Sequence, residues 1–256
     1  ALSSGYDTII SVGGDGTLNE VVNGFFQDGA LINPDAALAV IPRGTGSDFV
    51  RSFDYPTDIA DIARLIKHKT PRYCDLVLAR LQPVDNSPGE RYFINIADLG
   101  IGGLTADMVN KTSKAMGGKV SFFIGALRAT FMYKNKRMSV ELDGKRISEH
   151  RKHYLVGVAN GKYFGGGMHI APNADLTDGN LQVVLVGDMT FPEKLNLAKK
   201  IYKGEAGNLP KVTTFCGKRL RVSTTEDVFI ETDGELAGKA DAAFEILPSA
   251  INFIGI

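Results

Sequence analysis

Asp7-Thr8-Ile9-Ile10-Ser11-Val12-Gly13-Gly14-Asp15-Gly16-Thr17-Leu18-Asn19-Glu20-Val21-Val22-Asn23-Gly24-Phe25-Phe26 is the stretch that decides the fold. Thr8 to Val12 is a short apolar run and reads as a buried strand. A glycine-rich loop ends it, and Leu18, Val21, Val22 and Phe25 then recur on one face at helical spacing. Working outward, Ala37-Leu38-Ala39-Val40-Ile41, closed by Pro42, is a second buried strand. The loop Arg43-Gly44-Thr45-Gly46-Ser47-Asp48 leads from it into another helix near Phe49, and Ile59 to Ile66 has the spacing of a further one. Strand, glycine loop, helix, twice over, predicts a parallel α/β layer. The first strand starts almost at the first residue, and a buried parallel strand needs neighbours on both sides. The expectation is that the beginning of this domain is missing from the chain.

Past about residue 70 the pattern changes. Apolar or alternating runs span Asp75–Leu81, Arg91–Ala97, Arg137–Leu142, His153–Ala159, Asn180–Val186, Arg219–Ser223, Val228–Thr232 and Ala243–Leu247, separated by turn residues. That pattern suits an antiparallel β-sandwich. Helical stretches interrupt it at Thr105 to Tyr133 and Pro192 to Tyr202. The fold class expected is α/β plus β: an α/β domain over 1–70 and a β-sandwich domain over 71–256, its last segment free to return to the first domain. The site would lie in the cleft between them.

Composition narrows the partners. The 256 residues carry 29 basic and 29 acidic side chains, so overall charge points to no partner class, and nucleic acid is not expected. Cys74 and Cys216 lie far apart and suit reduced thiols; the four histidines form no ligand motif. Neither a signal peptide nor a continuous apolar run of membrane length is visible. The reading is a cytoplasmic protein which, if it works on lipids, works from the membrane surface.

Gly13-Gly14-Asp15-Gly16-Thr17 has a physical task between strand and helix. Glycines leave nothing between backbone amides and a polyphosphate, and the helix N-terminus favours the anion. Thr17 and Asn19 can hydrogen-bond to phosphates. Asp15 would face a metal ion, a water or a reacting hydroxyl, or else serve as a helix N-cap. Asp48, closing the second loop, suits a helix N-cap or the cleft equally well.

These two loops, with Phe93-Ile94-Asn95-Ile96-Ala97, Gly100 and Gly102, Asn160 to Gly167, Pro172 to Leu181 and Thr232-Asp233-Gly234-Glu235, form an ordered set over nearly the whole chain. The set resembles the diacylglycerol kinase catalytic family, which includes bacterial lipid kinases and sphingosine and ceramide kinases. The resemblance implies an α/β nucleotide domain and a β-sandwich domain, with ATP and Mg²⁺ between them. With the loop glycine Gly13, it implies that Gly14, Asp15, Gly16, Thr17, Leu18, Asn19, Glu20 and Thr45 contact ATP. It makes Glu235 the proton acceptor and Asp233 its helper. It places Mg²⁺ at Asp178, with Asp175 and Asn180 contributing backbone carbonyls. Ser47 stands where the family usually has asparagine.

The residues leave alternatives open. Asp233-Gly234 is also a strong two-residue hairpin signal, like Asp143-Gly144 between two polar strands. Asp175 to Asn180 also suits an Asx-type turn without metal. Lys111 to Arg137 carries seven bases and no acid around an apolar helical stretch, which suits docking on an anionic bilayer or packing in the core. The function expected is transfer of the γ-phosphate of ATP to a lipid hydroxyl, diacylglycerol above all, in phospholipid biosynthesis. The alternatives are an NAD kinase or phosphofructokinase relative, and an inactive lipid-binding protein. Sandwich edge strands leave room for a homodimer.

Overall fold

The computed structural model describes residues 1–44, 46–68, 70–84, 89–111, 130 and 132–255. Its first half runs β1 (Thr8–Gly13), α1 (Asp15–Asn23), a small hairpin of β2 (Phe26–Gln27) and β3 (Ala30–Leu31), β4 (Ala37–Pro42), a 3-10 turn over Phe49–Ser52, and α2 (Ile59–His68). β1 and β4 pair in parallel from Thr8↔Ala37 to Gly13↔Pro42. Both glycine loops therefore leave the same end of the sheet. α1 buries Leu18 and Val22 against it, as the apolar spacing predicts. The helix expected near Phe49 is a single 3-10 turn, which ends where Phe53 takes extended backbone.

The second half contains β5 (Arg72–Gln82), β6 (Glu90–Phe93), β7 (Ile96–Gly100), α3 (Ile101–Lys111), β8 (Lys136–Leu142), β9 (Lys145–His153), β10 (Leu155–Ala159), the hairpin β11 (Tyr163–Phe164) and β12 (Met168–His169), β13 (Leu181–Val186), α4 (Phe191–Ile201), β14 (Val212–Gly217), β15 (Arg219–Ser223), β16 (Phe229–Thr232) and β17 (Glu235–Phe253). Among the described residues, thirteen strands of both halves join in one sheet, its long path running β14-β13-β10-β7-β16-β17-β15-β8-β9. The single run expected over Arg91–Ala97 is two strands, broken at Ile94-Asn95, where backbone amides turn to another partner described below. β14 was not foreseen, since Val-Thr-Thr-Phe-Cys-Gly has no clean alternation. Of the basic apolar stretch from Lys111 to Arg137, residues 112–129 and 131 lie outside the described part.

β17 ties the halves together. It pairs antiparallel with β5 from Lys239↔Gln82 to Phe253↔Arg72, and also with β15 and β16. Its end joins β4 in parallel at Asn252↔Ala37 and Phe253↔Leu38. One hydrophobic core fills the curled sheet, with Phe93, Leu99, Val158, Val183, Ile230 and Phe244. A second lies under α4 around Ile96, Tyr133, Tyr154 and Leu197. The core of the first half takes Ile94, Leu176, Ile251 and Phe253 from the second. Phe253 is fully buried and meets Phe49 edge-on at 5.3 Å and Phe53 at 5.8 Å. This shared core fixes the crevice at the ends of β1 and β4.

Candidate active site

Helix geometry leaves the N–H groups of Asp15, Gly16 and Thr17 without intrahelical acceptors. The first bond of α1 runs from Leu18 N to Gly14 O at 3.0 Å. The two loops touch through backbone: a Cβ on Gly44 would sit 2.3 Å from Gly14 Cα. Arg43 N also donates to Gly13 O at 2.8 Å. No other residue type fits at Gly44 without parting the loops.

Asp15 is the first residue of α1, whose N-cap is Gly14. Its carboxylate accepts hydrogen bonds from Asp48 N and Phe49 N, both at 3.1 Å. It caps the 3-10 turn of the second loop. Asp48 is buried and reaches across to the second half, where its Oδ2 accepts from Gly166 N at 2.6 Å. Arg51 lies 3.3 Å from its Oδ1. Burial pushes the Asp48 carboxyl up against the pull of the Gly166 amide, and Asp15 adds to the rise.

The acids of the second half arrive on the β16–β17 hairpin. Its turn is Asp233-Gly234, with φ of +50° and +90°. Asp233 is buried, and its carboxylate accepts four hydrogen bonds: from Asn19 Nδ2 at 2.9 Å, Ile94 N at 3.1 Å, Asn95 N at 3.1 Å and Ile96 N at 3.0 Å. These are the amides that break β6 from β7. Burial raises its pKa to about 6, against the pull of Asn19, Ile94 and Ile96. Glu235 follows the turn and is exposed. A Cβ on Gly16 would lie 2.7 Å from Glu235 Oε1. The carboxylate of the second half thus lies against the first turn of α1.

The remaining loop residues divide by side chain. Thr17 is exposed. Leu18 is in the core. Asn19 is fully buried and spends its amide on Asp233 and on Tyr92 O, while Arg91 Nε donates to its Oδ1 at 2.8 Å. Glu20 pairs with Arg91. The side chains of Leu18, Asn19 and Glu20 are taken up by the core, by Asp233 and by Arg91. Thr45 lies outside the described residues.

The loop expected to hold Mg²⁺ has oxygen chemistry. Asp175 Oδ1 accepts from Thr177 N and Oγ1, and Asp178 Oδ1 from Asn180 N, so both Asx turns are present. Asp75, unnoticed in the sequence, is buried beneath them and accepts from Gly179 N and Ser249 N, both at 2.7 Å. Burial raises its pKa against those two amides, and Asp178 and Asp175 add to the rise. Three oxygen donors of one sign around a loop suit a hard cation. Among the described residues, though, no three His, Cys, Asp or Glu side chains converge as ligands, so any cation here would lean on main-chain oxygens.

Other motif residues lock the halves. Asn160 is fully buried and donates to Asp75 O at 3.0 Å and Ile94 O at 2.7 Å. Asn95 Nδ2 donates to Tyr163 O at 2.8 Å, and a Cβ on Gly161 would come within 2.1 Å of Asn95 Oδ1. Ser47 keeps a local role, its hydroxyl donating to Gly44 O at 3.4 Å. His169 stacks on Tyr163 at 4.2 Å, an ordinary packing role. The sequence offered no signal for Asp75, Asp98 or Glu231, each an acid inside an apolar strand.

Comparison with known proteins agrees with this geometry. The sequence profile of the diacylglycerol kinase catalytic domain matches residues 1–79. The YegS C-terminal NAD kinase beta sandwich-like domain matches residues 95–255. A diacylglycerol kinase of Bacillus subtilis (strain 168) is 30% identical over 241 residues, 93% of this chain and 74% of that protein. One of Staphylococcus aureus (strain bovine RF122 / ET3-1) is 29% identical over 248 residues, covering 95% and 73%. The crystal structure of a diacylglycerol kinase from Bacillus anthracis str. Sterne superimposes with a TM-score of 0.74 at 26% identity, over 100% of this chain and 79% of that one. Yeast NADH kinase complexed with NADH shares the fold alone, with a TM-score of 0.52 at 11% identity over 97% and 60%. With the glycine loop, the second loop and the Asp-Gly-Glu hairpin gathered at one crevice, the chain belongs to the diacylglycerol kinase family and is a lipid kinase of that type, acting with ATP.

Proposed function

We propose that the chain transfers the γ-phosphoryl group of ATP to the hydroxyl of diacylglycerol, giving phosphatidic acid and ADP, with Glu235 as the base. The observation that carries this is the Glu235 carboxylate lying against Gly16, beside the amides of Asp15, Gly16 and Thr17, which have no intrahelical acceptor. In this reading the amides of Gly13 to Thr17 hold the polyphosphate. The hydroxyl oxygen attacks the γ-phosphorus, the bond from that phosphorus to the β-γ bridging oxygen breaks, and the hydroxyl proton passes to Glu235.

Asp233 does not take the proton itself, since four donors occupy its oxygens. It holds the hairpin to α1 and to the β6–β7 break, so Glu235 stays aimed. Asp15 holds the second loop in the same way. A bound Mg²⁺ would neutralise charge on phosphate oxygens. The residues that suit one at the acidic loop are the Asp178 carboxylate with backbone oxygens of Asp175 and Asn180, beside buried Asp75.

The two substrates set the location: cytoplasmic ATP and a membrane lipid meet where a peripheral protein touches the cytoplasmic bilayer face. Among the described residues, no helix is long and apolar enough to cross a membrane. The test offers γ-labelled ATP with diacylglycerol vesicles and NAD side by side. The expected label is on the lipid. Label on NAD alone overturns the proposal.

A further inference from the structure

β7 and β16 run antiparallel with Asp98 directly opposite Glu231. Paired residues on neighbouring strands point to the same face, with Cβ atoms about 5 Å apart. Ala97, Leu99 and Ile230 face the core of the curled sheet. The two acids face the other way, toward α3, and are 0% and 5% exposed.

Each acid grips a different piece of backbone. Asp98 Oδ1 accepts from Gly102 N at 3.1 Å, and the Gly103 amide bonds to the same carboxyl. Gly102 has to be glycine, since a Cβ there would come within 1.7 Å of Asp98 Oδ2. Glu231 Oε2 accepts from Gly234 N at 2.6 Å. Gly234 is the second residue of the turn and the one before Glu235. The two buried carboxyls face each other across the strand pair, and among the described residues no donor reaches Asp98 Oδ2. Like charges this close and this dry do not both ionise.

Among the described residues, the titratable neighbours facing the pair are the phenols Tyr133 and Tyr154 and the carboxyl of Asp233. Lys194 on α4 spends its ammonium on Tyr133 O at 2.9 Å and lies over the Tyr154 ring at 4.8 Å. Burial pushes both acids up, Asp98 to about 7.

We infer that Asp98 and Glu231 share one proton and act as a positioning brace, tying the start of α3 to the Asp233-Gly234 turn and so setting Glu235. The catalytic consequence rests on the reading of Glu235 as base, but the brace itself does not.

The folded pair holds a proton that the unfolded chain releases near pH 4, so its stabilising effect falls as pH rises from about 4 to about 7. Glu231→Gln keeps an acceptor for Gly234 N and donates an amide proton to Asp98, so no shared proton is needed. Asp98→Asn does the reverse.

The experiment measures thermal unfolding from pH 5 to 8 and lipid kinase kinetics at pH 7 for wild type, E231Q, D98N and E231A. The expected result is a shallower pH slope of the unfolding midpoint in E231Q and D98N. Their kcat should stay within about threefold of wild type. E231A should lose about tenfold or more in kcat with KM for ATP unchanged. Equal pH slopes in wild type, E231Q and D98N overturn the shared proton. Equal kcat in E231A and E231Q overturns the brace. If E231Q flattens the slope while an E235Q variant keeps full turnover, the brace stands and the base assignment falls.

Discussion

Asp143-Gly144 and Asp233-Gly234 are the same turn in two settings. Their φ angles are +50° and +78° in one, +50° and +90° in the other. Each joins two antiparallel strands and each aspartate accepts backbone amides. Asp143 does so at the surface, from Lys218 N and Arg219 N. Asp233 does so in the interior, from three amides and the side chain of Asn19. Turn chemistry is therefore silent about function. What separates them is where the hairpin ends: one in solvent, the other at the amides of α1 with a glutamate next in line.

The largest effect expected is on Glu235 itself. Glu235→Gln should lower kcat by about 10²–10⁴, the usual worth of a positioned base, with circular dichroism and ATP affinity unchanged. Its counterpart in the other hairpin, Lys145, should be replaceable by alanine with no change in turnover.

The aspartates come next. Asp233→Ala orphans four buried donors at roughly 1–3 kcal/mol each before relaxation, so urea unfolding should show a loss of about 3 kcal/mol or more. Asp143→Ala should cost about 1 kcal/mol, the strain of a left-handed alanine, and leave activity alone. Similar losses at both sites would erase the distinction between the hairpins. The pH dependence sharpens it. Asp233, with its pKa raised to about 6, holds a proton in the folded chain that the unfolded chain gives up near 4. Its stabilising effect is complete below about pH 4 and lost as pH rises through 6. Asp233→Asn should flatten that part of the slope, and Asp143→Asn should not change it.

The smallest effect concerns the contact itself. In Gly16→Ala the new methyl meets the flexible tip of Glu235, not backbone. Turnover should fall about tenfold through a displaced carboxylate, with little change in melting temperature. Gly144→Ala, in a turn with no atom within 4 Å, should affect only turn strain.

The α/β layer was legible because Thr8–Val12 and Ala37–Ile41 are mostly apolar runs closed by glycine or proline, although the first is not the buried strand expected: Ile10 and Val12 are exposed and Ser11 is buried. The Asp143-Gly144 hairpin and the α4 region were legible from turn and helix signals. Less could be read where one residue serves two masters. Asp15 suits a metal ion, a water, a reacting hydroxyl or a cap of its own helix, and it also caps another turn 33 residues away, which no local pattern encodes. Asn19 offers hydrogen bonds to a phosphate by its place in the loop, and its side chain's buried bond to Asp233 was not legible there. Asp233 looked like a choice between hairpin and catalytic acid, and it forms the hairpin while holding the acid's neighbour. Asp98 and Glu231 face each other only because β7 and β16 pair, a register that the sequence of either strand leaves open.

The central claim is that polyphosphate is held at the start of α1, under Glu235. Titration of a non-hydrolysable ATP analogue into ¹⁵N-labelled protein, followed by amide chemical shifts, tests it directly. The account predicts the largest shifts at Asp15, Gly16, Thr17 and Glu235. Saturation of the protein with those four amides unmoved would contradict it.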